Sequence, residues 1–347
     1  MRMRPIIVGG GLAGAAAAIR LARLGQRPLL IERSQGAHHK VCGEFLSAET
    51  VAGLRALGVD PAALGAVPIT TVRLARGARL AQARLPFVAL SLSRRRLDEA
   101  MLAQAARCGA RVVRGQAVRA LADLPPGPVL AATGKHGLRG VGRPRGSGLV
   151  GLKGYFRLAP AQAAQLAGAV ELVSFAGGYA GLQLVEDGIA NLCLLTRADR
   201  GADLLATATA APHLARRLAG AEPLLARPLA IANLPYGWTH QPGPTDPDQL
   251  WRLGDQWGMI PSFTGDGMAL ALATAALAAR GLAEGASPHA FHAQANRQLR
   301  PALRRAHWMA QAGLSPLLGP LLPALATAMP GALRWGARLT RAPVFDR

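Results

Sequence analysis

The feature that most constrains this chain is the run Ile6-Ile7-Val8-Gly9-Gly10-Gly11-Leu12-Ala13-Gly14, followed by an alanine-rich stretch and then Pro28-Leu29-Leu30-Ile31-Glu32-Arg33. It reads as strand, glycine turn, helix, strand and terminal acid, the βαβ unit that grips the adenosine diphosphate half of a dinucleotide. Gly9 permits the tight turn, Gly11 lets the backbone approach a pyrophosphate, and Gly14 lets helix and strand pack closely. The helix start at Leu12 and Ala13 then offers unpaired N–H groups and a positive dipole end to the phosphates. Glu32, with Arg33 behind it, ends the second strand, where a carboxylate accepts hydrogen bonds from ribose hydroxyls. Its charge favours FAD or NAD over NADP, whose 2′-phosphate it would repel.

A chain of 347 residues, half of them hydrophobic and 17% charged, can bury the core of one large or two interleaved domains and is too apolar to be disordered. Its formal net charge of +21 invites a nucleic-acid reading. That reading fails on distribution. Of the 40 basic residues only Lys40, Lys135 and Lys153 are lysines, and the arginines are scattered over every segment among Ala, Gly and Pro. A general compositional bias is expected rather than a binding stripe, with anionic membrane surfaces as the remaining partner. Cys42, Cys108 and Cys193 show neither ligand spacing nor a disulfide framework, which fits a reducing cytoplasm. His38 and His39 have no spaced partner for a metal, and His289, His292 and His307 read as solvated residues of a helical tail. The N-terminus imitates a signal peptide, but its glycines, Arg20 and the strand that follows argue for the dinucleotide fold.

Further along, a polar loop from Arg33 to Phe45 leads into a helix beginning near Ser47. Thr70–Leu74 and Val88–Leu92 alternate as strands, and Ser93-Arg94-Arg95-Arg96-Leu97-Asp98 opens a helix with Leu97, Met101, Leu102 and Ala105 on one face. Arg111–Val113 and Pro128–Ala132 are short strands, the second running into Thr133-Gly134. A second set of strands follows at Lys153–Leu158, Glu171–Phe175, Gly181–Val185 and Ala190–Leu195, with turns at Gly177-Gly178 and Asp187-Gly188. Such an antiparallel sheet carries a substrate. Helices fill 200–225, Gln249–Leu253 is a strand running into Gly254-Asp255, and a helix spans Gly267–Gly281. The tail, 286–347, reads as helix interrupted at Pro301, Pro316, Pro320, Pro323 and Pro330. Its uncharged stretch Met309–Leu333 is expected to cap the domain or to form a lid or membrane-facing surface, since four prolines oppose a straight spanning helix.

Three separated motifs then agree: Gly9-x-Gly11-x-x-Gly14 with Glu32; Arg94-x-x-Leu97-Asp98; and Arg252-Leu253-Gly254-Asp255 continuing through Pro261 to Gly265-Asp266-Gly267-Met268. Together they resemble the FAD-dependent flavoproteins that include the aromatic-ring hydroxylases of the p-hydroxybenzoate hydroxylase type and the geranylgeranyl reductases. The resemblance covers most of residues 1–285. It implies an α/β fold: a Rossmann-like FAD-binding domain (GR2 type) from 1–67, 94–148 and 236–285, with an interleaved antiparallel-sheet substrate domain from 68–93 and 149–235, and a helical C-terminal segment, 286–347. It also implies that Arg94 reaches the FAD phosphates, that Asp255 bonds the ribityl chain, and that Gly265, Asp266, Gly267 and Met268 start a helix facing the flavin N1 and C2 carbonyl, where its dipole stabilises reduced flavin. Asp266 serves equally as an N-cap. Where aromatic hydroxylases carry Asp-Gly this chain has Thr133-Gly134, which weakens direct NAD(P)H binding, although NAD(P)H stays the candidate electron donor. The Lys40-Val41-Cys42-Gly43-Glu44 loop is closer to the geranylgeranyl reductases, which implies for Cys42 a place near the flavin's reactive edge, the equal alternative being a buried, inert cysteine. Tyr179, in the Gly177–Gly181 turn, is the candidate for orienting a substrate carbonyl or phenol, with a core or turn tyrosine as the more ordinary reading. The function so implied is an FAD-dependent monooxygenase that uses dioxygen, through a flavin C4a-hydroperoxide, to hydroxylate a small apolar aromatic or polyketide-like substrate. The alternatives are a reductase of prenyl double bonds and a non-catalytic flavoprotein or basic binding module.

Overall fold

The computed structural model describes residues 3–144, 146, 148–200, 203–261 and 265–315. In chain order the elements are β1 (Ile6–Val8), α1 (Leu12–Arg23), β2 (Leu29–Glu32), β3 (Phe45–Leu46), α2 (Ala48–Ala56), β4 (Val67–Arg76), β5 (Arg79–Ser91), α3 (Arg94–Arg107), β6 (Arg111–Arg114), β7 (Val129–Ala131), β8 (Leu149–Arg157), α4 (Pro160–Leu166), β9 (Ala169–Phe175), β10 (Gly178–Leu184), β11 (Ala190–Arg197), α5 (Leu204–Thr209), α6 (Pro212–Arg217), β12 (Glu222–Pro223), β13 (Leu229–Ala232), β14 (Leu250–Arg252), α7 (Gly267–Glu284) and α8 (Pro288–Leu314). Two sheets organise them. The smaller is a five-stranded parallel sheet in the order β14-β7-β1-β2-β6, so strands more than 200 residues apart become near neighbours.

Alternation decides how this sheet packs. Ile6 and Val8 of β1 point to one face, with Ile31, Val129, Ala131 and Leu250, whereas Ile7 points to the other, where the helices lie. On that helical side α1 contributes Ala15, Ala16, Ala17 and Ala18, all fully buried, and α7 contributes Ala269, Ala273, Ala275 and Ala278. Facing alanines leave the two helix axes free to approach closely. α7 is long and apolar enough to cross a membrane by composition, but here it is a core helix. Serine side chains fix the starts of three helices: Ser47, Ser93 and Ser287 accept from the backbone N–H of Thr50, Arg96 and Ala290.

The larger sheet has nine strands in the order β12-β8-β11-β10-β9-β4-β5-β3, with β13 also paired to β8. Sequence periodicity places its main strands, but two expectations need correction. The sheet is mixed, because β4 runs parallel to β9. β3, inside the stretch assigned to the dinucleotide domain, pairs with β5 in the larger sheet. One face of this sheet is apolar and covered by α4, α5 and α6 through Leu166, Leu204, Ala208 and Leu214. Within that region sits one polar cluster, centred on the fully buried Glu171. Its carboxylate takes Arg73 (2.9 Å), His213 (2.7 Å) and Arg217 (2.8 Å). Burial raises such a carboxyl, but the bonds from His213 and Arg217 and the charges around it win and pull it down to about 2.

The tail differs from expectation within the described residues. Pro301 does not interrupt the helix: α8 runs through it for 27 residues. Leu299, Leu303 and Ala306 on its inner face are buried in the main core, and that packing outweighs the ~3 kcal/mol that an interior proline costs. His292 is likewise buried, not solvated. Its ring meets that of His240 edge to face, with centroids 4.6 Å apart, and its Nε2 accepts from the Arg252 backbone N–H at 3.1 Å. His240 lies 3.0 Å from Asp246, which also faces Arg252. Residues 316–347, including most of the uncharged stretch and its prolines, lie outside the described residues.

Two predictions follow from these clusters. Glu171→Ala leaves the buried Arg217 and the half-buried Arg73 without their carboxylate, with only neutral acceptors remaining, and should lower unfolding stability by about 3 kcal/mol in a denaturant titration; a loss near zero would make the cluster incidental. Burial, reinforced by Arg252, drives His240 from the ordinary 6.5 down to about 4, and burial with His240 and Arg252 drives His292 to about 3. The folded state therefore refuses protons that the unfolded chain takes up. Stability should fall as pH drops from about 6.5 toward 3, and a flat denaturation midpoint over that window would contradict the assignment.

Candidate functional site

The strand-to-helix turn is built around missing side chains. Gly9 has φ +107°, and a Cβ there would sit 2.4 Å from the Ala132 carbonyl oxygen; a Cβ on Gly14 would lie 1.9 Å from the Gly9 oxygen. Neither clash can be relieved without moving backbone. Gly11 differs, because its Cβ would meet only two cationic side-chain tips, Arg94 Nη2 and Lys40 Nζ, each at 3.4 Å. At this point α1 begins with Gly11 as N-cap and no side-chain cap, so its first N–H groups have no intrahelical acceptor. Two cations, a glycine surface and a helix N-terminus converge. That is a fitting cradle for the diphosphate of a dinucleotide.

A single buried carboxylate orders the cations. Asp98 accepts from Arg94 Nε and Nη2 at 2.8 and 2.9 Å and from Lys40 Nζ at 2.7 Å, which leaves one net positive charge facing Gly11. Burial opposes ionisation of Asp98, but Arg94 and Lys40 outweigh it and keep the carboxyl below its usual range. Glu32 has a second task beyond the expected ribose contact. Its Oε2 accepts from the Gly10 N–H at 2.6 Å and its Oε1 from the Ser34 N–H at 2.9 Å, so it locks the glycine turn to β2. Burial would raise it, yet those N–H donors and Lys40 hold it low. Arg33 lies at the rim, 2.9 Å from His136 Nε2.

The late segment closes over the same space. Gly254 has φ +54° and donates its N–H to Thr274 Oγ1 of α7 at 2.9 Å, and its Cα lies so close to α1 that a Cβ would be 3.2 Å from Ala13 Cβ. Asp255 follows, half-buried. Gln256 reaches back to the carbonyls of Gly134 and His136, at 2.6 and 2.8 Å, fixing the Thr133-Gly134 turn. Gly265 sits edge-on to the Phe45 ring, and Asp266, fully buried, occupies the N-cap position of α7 without a side-chain capping bond. The segment between, Ser262–Thr264, lies outside the described residues.

One cavity of about 850 Å³ joins these parts. Its wall includes Gly9, Gly11, Leu12, Ala13, Glu32, Arg33, Cys42, Arg94, Asp255, Gly265, Gly267 and Met268, so most of the residues expected from the sequence face one space. Gly14 and Asp266 support it from behind. Tyr179 does not belong to the wall: the hairpin closes at Phe175 and Gly178, so Tyr179 lies inside the β10 ladder, buried opposite Ser174 and Leu195.

Sequence reading missed the polar cluster behind the cavity wall. Glu44, fully buried with φ +60°, accepts on Oε1 from Tyr155 OH and from the Arg94 backbone N–H, each at 2.7 Å, and the Lys153 ammonium lies 2.7 Å from the same oxygen. Burial and the Glu44 charge push the Tyr155 phenol up, so it stays protonated and donates. His39 Nδ1 lies 3.1 Å from that hydroxyl, and burial together with Lys153 and Arg95 pushes the imidazole down, keeping it neutral. Gln183 and Asn191 clamp the Gly43 carbonyl at 2.9 and 2.8 Å. Lys135 Nζ donates to Val41 O at 2.7 Å. A signal for this cluster was present: all three lysines of an arginine-rich chain, Lys40, Lys135 and Lys153, converge on the 40–44 loop.

Comparison with known proteins agrees with this geometry. Residues 2–125 match the family model of the FAD binding domain. No curated protein matches the sequence. Among solved structures, the flavin-dependent brominase Bmp2 superposes with a TM-score of 0.77 at 15% identity, covering 98% of this chain and 93% of its own. The myxobacterial chondrochloren halogenase CndH gives 0.73 at 18%, covering 95% and 90%. A geranylgeranyl bacteriochlorophyll reductase-like protein from Thermoplasma acidophilum gives 0.70 at 18%, covering 99% and 93%. At these identities the likeness is one of fold.

The glycines separate two failures. Gly11→Leu should give folded but colourless protein, because the side chain fills the cradle while displacing only flexible tips; stoichiometric flavin in that variant would contradict the assignment. Gly14→Leu should not fold at all, which circular dichroism would show.

Proposed function

We propose, from the premise that this chain is an FAD flavoprotein of the superfamily that holds the aromatic-ring hydroxylases and geranylgeranyl reductases, that it is a monooxygenase acting on a small, largely apolar ring substrate. The observation that supports this reading is a single cavity running from the diphosphate cradle at Gly11 to the Val41–Phe45 loop. Between them the lining is mostly apolar, with Val41, Leu229, Ile231, Met259 and Ile260. A flavin ring lying between Asp255 and the larger sheet would leave its substrate against those side chains. Once bound and reduced by an external two-electron donor, FAD would supply the reduction of dioxygen, one oxygen atom going to the substrate and the other to water.

The chain's own residues do the rest. Arg94 and Lys40 hold the diphosphate, and Asp98 keeps both in place. The N-terminus of α7, behind Gly265 and Gly267, points its unpaired N–H groups and positive dipole end toward the space where the flavin's electron-rich edge would lie. Cys42, Val41 and Phe45 exclude water from the reacting face. Thr133 is held by its hydroxyl on the His136 carbonyl, at 2.8 Å, and offers no carboxylate there. NAD(P)H as the electron source therefore needs its own test.

A second reading, reduction of an isolated double bond, draws on the Lys40–Glu44 loop. A third, halogenation, draws on the fold shared with Bmp2 and CndH. One experiment divides them. FAD-loaded protein, reduced with light and then exposed to oxygen with simple phenols, should add a single oxygen atom to the ring, read by mass spectrometry. Product carrying bromine when bromide is present would replace hydroxylation with halogenation. Oxygen-independent saturation of a prenyl alcohol would replace both with reduction.

A further inference from the structure

Several exposed arginines of this protein are answered by carboxylates: Arg55 by Asp60, Arg157 by Glu222 and Arg197 by Asp199. The helix α8 breaks that pattern. From Gly285 to Phe345 the sequence holds seven arginines and no aspartate or glutamate. Four of the seven, Arg297, Arg300, Arg304 and Arg305, lie on α8, and all four are exposed. Among the described residues no carboxylate pairs with Arg297, Arg300 or Arg304.

Helix geometry gathers these charges. With about 3.6 residues per turn, Arg297, Arg300, Arg304 and Trp308 fall in one strip along the outer side of α8, opposite Leu299, Leu303 and Ala306 in the core. Trp308 is 70% exposed. A lone exposed apolar side chain is ordinary, but an indole in the same strip as three uncompensated guanidinium groups is a composite surface. The strip also lies close to the cavity. Leu303 and His307 beside it pack on Gly258 and Gly237, Gly237 donates its N–H to the Met259 carbonyl at 2.7 Å, and Tyr236 and Met259 line the cavity wall.

Three features select the partner. The charge of the strip calls for an anion. An indole, apolar in its body and polar at its N–H, settles at the boundary between headgroups and hydrocarbon. The sequence running on from the same helix, Met309–Leu333, is uncharged and rich in leucine and alanine, which suits a lipid surface and offers a nucleic acid or an acidic protein nothing to pair with.

We propose that the outer face of α8 docks on an anionic lipid surface, with Arg297, Arg300 and Arg304 meeting headgroup phosphates and Trp308 entering the interface. This goes beyond the monooxygenase reading and holds whichever reaction the flavin performs. Docking there brings the apolar cavity within one helix of the lipid, the phase in which an apolar ligand concentrates.

Sedimentation of the full-length, FAD-loaded protein with vesicles tests the surface. Phosphatidylcholine vesicles carrying about one third phosphatidylglycerol should bind it about tenfold more tightly than phosphatidylcholine alone, and ~1 M salt should release it. An arginine near an anionic surface is worth about fivefold in binding, so Arg300→Gln with Arg304→Gln should weaken it about twenty-fivefold. Arg55→Gln with Arg197→Gln removes the same charge where a carboxylate already faces it, and should change binding by less than about twofold. Trp308→Ser should weaken binding severalfold and keep the preference for anionic vesicles. Equal losses in the two arginine pairs would make net charge the cause and overturn the proposal. Equal binding of the unaltered protein to both kinds of vesicle, or to neither, overturns it whether or not the variants fold. Retention on a mixed-sequence oligonucleotide without retention on vesicles also overturns it, assigning the face to nucleic acid. All four substituted arginines are exposed and outside the cavity wall, so each variant should keep its full flavin content.

Discussion

The structure depends on three places where segments approach closely because a side chain is missing, two of them backbone on backbone and the third backbone on alanine methyls. Gly14 rests on the Gly9 carbonyl, Gly9 on Ala132, and Gly254 on α1 and α7. Each contact brings a different segment to the carboxyl end of the parallel sheet: the glycine turn, the β7 turn and the β14 turn. A methyl group at Gly9 or Gly14 would separate them by more than side-chain adjustment can absorb, and the cradle around Gly11 would open. The cationic pair at Arg94 and Lys40 is then positioned against a surface that is already rigid.

This constraint explains which parts were legible in the sequence. The βαβ unit is local: its glycine spacing, alanine-rich helix and terminal Glu32 all fall within about 25 residues, and each obeys a rule of backbone geometry. Strands of the larger sheet were legible through alternation, and the starts of α2 and α3 through their serines. What escaped notice is non-local. Glu44 meets Lys153 and Tyr155 across more than 100 residues, and no periodicity or spacing records that pairing. Pro301 misled for a related reason, since a propensity rule was overruled by burial of Leu299, Leu303 and Ala306. His292 misled because its burial depends on where β14 and His240 lie.

Charge composition also reads differently once the chain is folded. A net charge of +21 spread over arginines carries little information by itself. The informative residues are the few that break the bias: three lysines, and the carboxylates Glu32, Glu44 and Asp98, each buried and each holding a different part of the cavity wall. Lysine suits these positions because a compact ammonium on a flexible stem reaches a single oxygen, Asp98 Oδ2, Val41 O or Glu44 Oε1, where a planar guanidinium would demand a wider set of acceptors.

The two faces of the larger sheet solve opposite problems with the same strands. On the helix-covered face Leu166, Leu182, Leu192 and Leu214 bury apolar surface, and the Glu171 cluster is closed, every carboxylate oxygen answered by Arg73, His213 or Arg217. On the cavity face the Glu44 cluster is open, with one oxygen answered and one not. A closed cluster fixes α6 against the sheet and has nothing left to bind. The open one leaves a buried acceptor beside the Lys153 ammonium, at the joint between the Lys40–Phe45 loop and the sheet. The loop from Lys40 to Phe45 carries both consequences, since its two ends sit on the diphosphate cradle and on the sheet. Glu44 is thereby tied, through the Arg94 backbone N–H, to the start of α3, whose Arg94 side chain is one of the two cations at Gly11.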